Sequence, residues 1–336
     1  MAVCRRALRG VAALGLTALS CWAQGGSAYE RGHAAFDAQK YTEAAPLFAQ
    51  AAKEQPQSDA LLFEGKALAN VERYTEADSA LRAYAVQHPN SPDALYMLGF
   101  VLNREDRPAD SLKAYTRAAQ LSSPKSDDLK VVAMDYVLLN DYPDAIRWMR
   151  QAVAFDPQNE QAWYGLGRCY YSQSEFKEAQ QAFEKALGLA PQDVKAEENL
   201  GLAYEMGNRP QDAERAYKAA IALANGEAAT DQWPYLDYGS FLLEHDRSAE
   251  AVPVLERAVK AAPQCADCHG KLGRALARTG HATEGIAELR VAVQLAPKDP
   301  RLHYDLGRAY RAAGKMDEAR AELAVSAQLY GAKGRQ

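Results

Sequence analysis

The chain has 336 residues, of which 48% are hydrophobic and 25% are charged, and this composition is typical of a globular protein. Its formal net charge of -5 argues against a nucleic-acid partner, because binding a phosphate backbone requires a surplus of basic residues. No continuous run of about 18 apolar residues is present, so the sequence predicts no membrane-spanning helix.

The amino terminus has the pattern of a secretory signal peptide. Three arginines within residues 5–9 precede a short apolar stretch at residues 11–19, and a small-residue site ends at Ala23. We therefore predict that residues 1–23 are cleaved before Gln24 and that the mature protein is periplasmic or secreted, in a bacterial envelope.

The end of this leader leaves two alternatives to cleavage open. Residues 18–21, Ala-Leu-Ser-Cys, are similar to a bacterial lipobox, although alanine stands where leucine is usual. The first alternative is therefore a lipoprotein anchored through Cys21. The second is an uncleaved leader that acts as an N-terminal anchor.

From residue 32 onward, a small residue recurs about every 34 residues. Eight of its nine members are glycine, and the exception is Ala133. A second small residue follows twelve positions later and a large apolar residue four positions after that, as in Gly167, Ala179 and Phe183. Such self-similarity predicts a solenoid of nine repeats. The recurrent small residues are Gly32, Gly65, Gly99, Ala133, Gly167, Gly201, Gly239, Gly273 and Gly307.

Each repeat contains two stretches in which apolar residues recur at helical spacing. In the fifth repeat, Trp163, Leu166 and Tyr170 form the first stripe, and Phe183 and Leu187 belong to the second. A lone short helix cannot bury such a stripe, so the two helices must pack on each other and on the next repeat. A glycine inside a helix costs about 1 kcal/mol relative to alanine. Its recurrence therefore predicts a close crossing of two backbones.

The fifth and sixth repeats show the pattern most completely. The fifth reads W-x2-LG-x2-Y from Trp163 to Tyr170, and Phe183 and Pro191 follow. This pattern resembles the tetratricopeptide repeat (TPR) family. The resemblance implies an all-α fold, a right-handed superhelical solenoid of about nine TPR helix-turn-helix repeats that fills residues 24–336 as a single domain.

One interval departs from the period. The spacing between Gly201 and Gly239 is 38 residues, whereas the other intervals are 33 or 34 residues. The extra residues predict a longer loop near residues 225–231, between the sixth and seventh repeats. A domain boundary at this loop is the alternative.

Cys265, Cys268 and His269 form a CxxCH motif, which resembles the haem-attachment site of c-type cytochromes. There, two thiols bind the vinyl groups and the histidine binds the iron. Three alternatives stay open: a covalent haem, a disulfide between the two cysteines, and two free thiols. The repeat also accounts for the histidine, because His269 occupies the position of Trp163 and of His303 in other repeats. We therefore expect no cofactor.

The remaining polar residues do not predict catalysis. The sequence contains no phosphate-binding glycine loop, HExxH motif or GxSxG motif, so we expect no enzyme activity. The CxxCH motif supplies too few ligands for zinc, and no metal site is predicted. Acidic neighbours such as Glu197 and Glu198 are predicted to form a solvated helix face. Cys169 is predicted to be a buried thiol.

In the TPR family, the first helix of each repeat faces a concave groove, which implies a protein or peptide partner here. Residues 266–336 hold 12 Lys and Arg against 8 Asp and Glu, whereas residues 25–265 hold 24 against 36. We therefore expect the partner to carry an apolar segment and an acidic end bound by arginines. The alternative is that these arginines only solvate a helical face. The predicted groove residues are Tyr29, Phe36, Tyr96, Phe100, Met134, Tyr164, Arg168, Tyr171, Arg274, Arg278, Tyr304, Arg308 and Arg311.

Overall fold

A computed structural model describes residues 26–224 and 231–333. Within these residues, the secondary structure consists of eighteen α-helices without any strand, which confirms the predicted all-α class. The leader and nearly all of the predicted loop at residues 225–231 lie outside the described residues. The helices are α1 (Ala28–Asp37), α2 (Tyr41–Glu54), α3 (Ala60–Asn70), α4 (Tyr74–Gln87), α5 (Pro92–Arg104), α6 (Pro108–Ala119), α7 (Ser126–Leu138), α8 (Tyr142–Phe155), α9 (Glu160–Ser172), α10 (Phe176–Leu189), α11 (Val194–Met206), α12 (Pro210–Ala224), α13 (Trp233–Glu244), α14 (Ser248–Ala261), α15 (Ala266–Arg278), α16 (Ala282–Leu295), α17 (Pro300–Ala312) and α18 (Met316–Lys333).

Contacts divide the chain into two units, and the boundary lies inside α9. The N-terminal unit ends at Gly165 and the C-terminal unit begins at Leu166. In each unit, an odd-numbered helix begins a repeat and packs against the even-numbered helix that ends it. Within a unit, even-numbered helices also pack against the next odd-numbered helix, as α4 does against α5 and α16 does against α17. Neighbouring repeats of one unit therefore share an apolar core.

The recurrent glycines lie where the two helices of a repeat cross closely. A Cβ atom added to Gly99 would lie 2.6 Å from the ring of Tyr115, and one added to Gly167 would lie 2.6 Å from the ring of Phe183. Real Cβ atoms essentially never approach another atom so closely. At these glycines the close neighbour is therefore the large apolar side chain of the same repeat and not the second backbone that the sequence predicted. At Gly273 a backbone atom does come close, with the carbonyl oxygen of Gly285 at 2.8 Å from the added Cβ atom.

Ala133 is tolerated because its repeat has a methionine at the large apolar position. Met149 is buried, and its Cε atom would lie 2.6 Å from a Cβ atom on Gly165. The Met149 side chain therefore extends to α9, and its flexibility allows it to leave space for a Cβ atom at residue 133. Ala133 fills that space and is fully buried.

The turn inside each repeat contains a residue with positive φ, seven positions after the recurrent small residue. Its φ angle is 56° to 61° in the first seven repeats, and 89° and 75° at the glycines of the last two. Asn, Asp and Gly hold six of these positions, and these residue types adopt the left-handed conformation most readily. The residues are Gln39, Glu72, Asp106, Asn140, Ser174, Asn208, Asp246, Gly280 and Gly314.

Among the described residues, three joins between consecutive repeats carry a polar contact at matching positions. In the best formed one, the two carboxylate oxygens of Glu214 accept hydrogen bonds from Arg247 at 2.8 and 2.9 Å. These bonds lower the pKa of Glu214 to about 2. The other two joins pair Arg209 with Gln180 at 3.1 Å and Arg107 with Asp78 at 3.6 Å.

Candidate partner-binding surface

The odd-numbered helices of each unit lie side by side. Contacts join α5 to α7 in the N-terminal unit and α15 to α17 in the C-terminal unit. We call the surface formed by the odd-numbered helices of one unit its first-helix face. All thirteen predicted groove residues belong to odd-numbered helices.

A cavity of about 600 Å³ opens on the first-helix face of the N-terminal unit, chiefly between α5 and α7. It brings together three predicted groove residues, Tyr96, Phe100 and Met134, and adds Met97 and Val131. The Met134 side chain is 39% exposed. Part of the apolar lining therefore faces solvent.

Charged side chains of both signs border this cavity. The Nζ atom of Lys66 lies 3.5 Å from the carboxylate of Asp93, and that of Lys130 lies 3.1 Å from the carboxylate of Asp127. Lys130 also donates a hydrogen bond to the side-chain oxygen of Gln161 at 2.8 Å. The rim charges thus compensate one another, and the cavity is suited to an apolar anchor rather than to a bare anion.

A buried polar cluster that the repeat pattern did not predict lies beside the cavity. Asn103 lines the cavity and donates to the fully buried carboxyl group of Asp135 at 2.8 Å. The hydroxyl oxygen of Ser111 lies 2.6 Å from the other Asp135 oxygen and 2.8 Å from the carbonyl oxygen of Gly99. Burial raises the pKa of Asp135 to about 6, although the hydrogen bonds from Ser111 and Asn103 oppose this shift. The sequence does contain one sign of this buried cluster: Asp135 occupies the position that Val101 holds in the preceding repeat.

Tyr29 and Phe36 lie in an aromatic cluster of the N-terminal unit and do not line the cavity. The hydroxyl group of Tyr29 donates to the carboxylate of Asp59 at 2.5 Å, and this bond is the main reason that the pKa of Tyr29 rises to about 12. The ring of Phe36 lies 5.4 Å from the ring of Phe63. Both side chains therefore contribute to packing in the first repeats.

The three predicted groove residues of α9 are divided between the two units. Tyr164 is half-buried in the N-terminal unit, but α9 borders the cavity through Gln161 instead. In the C-terminal unit, Arg168 is exposed and Tyr171 is half-buried. The Tyr171 ring lies 5.7 Å from that of Phe176, and burial raises its pKa.

Four basic side chains act on Asp305 on the first-helix face of the C-terminal unit. They are Lys271, Arg274 and Arg278 of α15, and Arg308 of α17. Burial raises the pKa of Asp305, although the positive charges of all four oppose this shift. The Nε atom of Arg274 is buried without a hydrogen-bond partner. These four side chains form a basic cluster that neighbouring acids partly neutralise, since the Arg278 guanidinium group also lies 3.8 Å from the Asp246 carboxylate and Glu244 and Asp267 act on Lys271.

The structure thus brings together three predicted arginines, namely Arg274, Arg278 and Arg308. The other two predicted residues of α17, Tyr304 and Arg311, lie on the same helix as Arg308. The ring of Tyr304 is 46% exposed and lies 5.8 Å from the guanidinium group of Arg308. Arg311 is exposed and is not among the cations that act on Asp305. Arg278 donates to the carbonyl oxygen of Leu243 at 2.9 Å.

The prediction that Glu198 is solvated is wrong. Glu198 of α11 is only 8% exposed, and its side chain is hydrogen-bonded to that of Asp237 on α13. Burial raises the pKa of both carboxyl groups, so the pair retains a proton that two exposed acids would lose. Spacing along one helix could not show this, because the partner lies on the next odd-numbered helix.

The structure joins Cys265 and Cys268 by a disulfide at the start of α15. The Sγ atom of Cys265 accepts a hydrogen bond from the backbone N–H of Cys268 at 3.1 Å. Cys268 is fully buried, whereas Cys265 is half-buried. The third cysteine of the described residues, Cys169, is a free thiol with 3% exposure, as predicted, and burial raises its pKa to about 11.

The residues of the CxxCH motif do not fit a covalent haem. Both ring nitrogens of His269 are engaged: Nε2 lies 3.1 Å from the carbonyl oxygen of Pro263, and Nδ1 lies 2.6 Å from the carboxylate of Glu288. An axial iron bond would break one of these contacts, and the thioether bond at Cys268 would form inside the apolar core.

The position of His269 in the repeat has a structural role that other repeats share. The Nε2 atom of His303 lies 3.0 Å from the carbonyl oxygen of Pro297. The indole N–H of Trp163 donates a hydrogen bond to the carbonyl oxygen of Pro157 at 3.0 Å. In these three repeats, a ring nitrogen thus contacts the carbonyl oxygen of the proline that precedes the first helix.

The fold and the first-helix faces define an all-α helical-repeat protein. A family model described as the C-terminal TPR domain of cilia and flagella-associated protein 70 matches residues 17–206, more than half of the chain. Two tetratricopeptide repeat models match residues 239–300 and 276–329. The chain belongs to the tetratricopeptide repeat family.

Solved structures show the same fold. A tetratricopeptide repeat protein from Parabacteroides merdae ATCC 43184 is 17% identical with a TM-score of 0.57, and the match covers 76% of this chain and 99% of that one. PilF of Pseudomonas aeruginosa is 19% identical with a TM-score of 0.53, covering 61% and 92%. PilW, a type IV pilus biogenesis factor, is 22% identical with a TM-score of 0.52, covering 59% and 90%. A comparison with curated proteins found no match.

Among the described residues, no helix is both long and apolar enough to cross a membrane.

Proposed function

We propose that the chain is an exported, non-catalytic scaffold that binds protein or peptide partners on its first-helix faces. The observation that carries this proposal is the cavity of about 600 Å³ in the N-terminal unit. Its volume lies in the range of about 300–1,000 Å³ that is typical of ligand-binding pockets. Membership of the TPR family supports a protein partner, because preformed helices can receive a peptide with little ordering cost.

The cavity is suited to one apolar side chain of the partner. Phe100 and Met134 supply apolar walls, and the Tyr96 hydroxyl donates to the carbonyl oxygen of Ser122 at 2.5 Å, which holds its ring in place. Burying a leucine or phenylalanine side chain contributes about 1.5–3 kcal/mol. Such an anchor would supply much of the affinity of a short peptide.

The basic cluster supports an acidic end on the partner of the C-terminal unit. Arginine forks hold carboxylates in a bidentate geometry, and Arg274 has a buried Nε atom that no acceptor of the described residues reaches. Export is proposed from the leader at residues 1–23, with a lipid anchor at Cys21 as the alternative.

Capture of partners from an envelope extract tests the cavity. Met134→Glu places a charge in the apolar cavity, so we expect at least a roughly tenfold loss of captured protein, equivalent to about 1.4 kcal/mol. Leu138→Glu is the matched control, because Leu138 lies on the same helix, is 46% exposed and does not line the cavity. Equal capture by the two variants, measured by quantitative mass spectrometry, contradicts the proposal.

The same capture experiment tests the basic cluster. Arg308→Glu reverses one charge of the cluster and should release partners that bind through an acidic end. Arg290→Glu is its control, since Arg290 is exposed on the even-numbered helix α16. If both charge reversals leave capture unchanged, the arginines of α15 and α17 only solvate their helices.

A further inference from the structure

The disulfide at the start of α15 occupies two positions that other repeats fill without sulfur. The position of Cys265 is the helix cap, which is held elsewhere by Ser91, Asn159, Asp193 and Asp299. The position of Cys268 is held by fully buried alanines, namely Ala60, Ala94, Ala162 and Ala196. Folding of a repeat therefore requires neither cysteine, and the pair is best explained by its chemistry.

The two sulfur atoms differ in accessibility. Cys268 has no exposed surface and packs in the core of the C-terminal unit together with Leu272 and Leu276. Cys265 precedes the helix and is only half-buried. Of the two cysteines, Cys265 is therefore the one that an incoming thiol can approach from solvent.

The Sγ atom of Cys265 lies at the start of a helix, where the backbone offers a hydrogen-bond donor. This sulfur atom accepts the N–H of Cys268 at 3.1 Å, and the thirteen-residue helix α15 directs its positive end at this atom. The carboxylate of Asp267 lies 3.6 Å from the guanidinium group of Arg301. That ion pair offsets the negative charge that lies closest to Cys265 in the sequence.

We propose that Cys265 and Cys268 form a dithiol–disulfide exchange site that oxidises a dithiol on a partner polypeptide. A partner thiolate attacks the Sγ atom of Cys265; a mixed disulfide forms and Cys268 leaves as the thiolate. The second partner thiolate then attacks the partner's sulfur in that mixed disulfide, and Cys265 leaves as the thiolate. The partner loses two electrons and its two thiol protons. Cys265 and Cys268 gain the two electrons and the two protons and become thiols. Each Cys265–Cys268 disulfide oxidises one dithiol, so the exchange is stoichiometric rather than catalytic, and it does not depend on binding at the first-helix faces.

The asymmetry of the site is tested with two single-cysteine sites in the native protein. Cys268→Ala leaves Cys265, and Cys265→Ser leaves Cys268; both substitutions introduce residues that other repeats use, so folding is expected and is checked by circular dichroism. We expect the thiol of Cys265 to react with 5,5′-dithiobis(2-nitrobenzoate) at least roughly tenfold faster than that of Cys268. The double variant measures the background from the remaining cysteines, which are Cys169 and, in a chain that keeps its leader, Cys4 and Cys21. Equal rates for the two thiols overturn the proposal.

The exchange itself is tested with a reduced peptide that contains two cysteines. Mixed with the oxidised wild-type protein, this peptide should gain an internal disulfide while the protein gains two alkylatable thiols, in equal amounts by mass spectrometry. The double variant should leave the peptide reduced. If the native protein does not react while the protein unfolded in urea does, the disulfide is purely structural and the proposal fails.

Discussion

Gly167 and Phe183 show how a single position determines the packing of a repeat. A Cβ atom added to Gly167 would lie 2.6 Å from the Phe183 ring, and real Cβ atoms essentially never come closer than 3.0 Å to another atom. The sequence predicted this crossing because a glycine inside a helix is otherwise unfavourable. The fourth repeat shows the converse case. Its large apolar residue is the flexible Met149, and the position of the glycine is held by Ala133.

Gly167→Ala should therefore destabilise the protein. Overpacking costs about 1–3 kcal/mol, and the gain in helix propensity offsets about 1 kcal/mol of it, so we expect a net loss of about 1 kcal/mol in urea denaturation. Gly188→Ala is the control on the following helix, because a Cβ atom there would meet nothing within 4 Å. This control should gain up to about 1 kcal/mol. A Gly167→Ala protein as stable as the wild type would contradict the close crossing.

Other single residues could not be predicted from the repeat. Glu198 and Asp237 form a pair, and Asp135 lies in a buried cluster, only because residues on neighbouring helices face them. A period read along the chain places residues on one helix face. It does not tell which side chains meet across two helices.

At the scale of elements, the helix pairs follow the predicted period, while the turns and joins add information that the spacing alone did not provide. The left-handed residue of each turn fixes where the second helix begins, and it takes Asn, Asp or Gly in most repeats. The polar joins depend on pairs such as Glu214 and Arg247, which lie 33 residues apart. Such pairs are visible in the sequence only after the repeats are aligned.

The join between Glu214 and Arg247 makes stability depend on pH. Because its pKa in the folded protein, about 2, is below the ordinary value of 4.5, the stabilisation is present above about pH 4.5 and is lost as the pH falls towards 2. Because the pair is partly exposed and solvent screens it, we expect Glu214→Gln to lower the free energy of unfolding by about 1 kcal/mol at pH 7 and to weaken its dependence on acid.

Urea denaturation at pH 7 and pH 3 measures this effect. Glu250→Gln is the control, since Glu250 contacts Arg247 from the same repeat and leaves the join intact. If the free energy of unfolding falls by the same amount between pH 7 and pH 3 in Glu214→Gln and in the wild type, the Glu214–Arg247 pair does not contribute to the pH dependence and the prediction is wrong.

At the scale of the whole molecule, the 34-residue period was sufficient to predict the fold class and the helices that form the first-helix faces. It was not sufficient to locate a binding site on them. Tyr96, Phe100 and Met134 line the cavity, whereas Tyr29 and Phe36, which the same reasoning selected, contact Asp59 and Phe63 at the start of the second repeat. The difference arises from neighbouring side chains, which fill the face at α1 and leave it open between α5 and α7.

Site-specific photo-crosslinking tests most directly whether partners bind on the first-helix face. A benzophenone amino acid is placed at Met134, inside the cavity, or at Val86, which is 82% exposed on the even-numbered helix α4 of the same unit. We predict that irradiation in an envelope extract yields a discrete crosslinked partner from position 134 and none from position 86. Crosslinking of the same partner from position 86 alone would contradict the account.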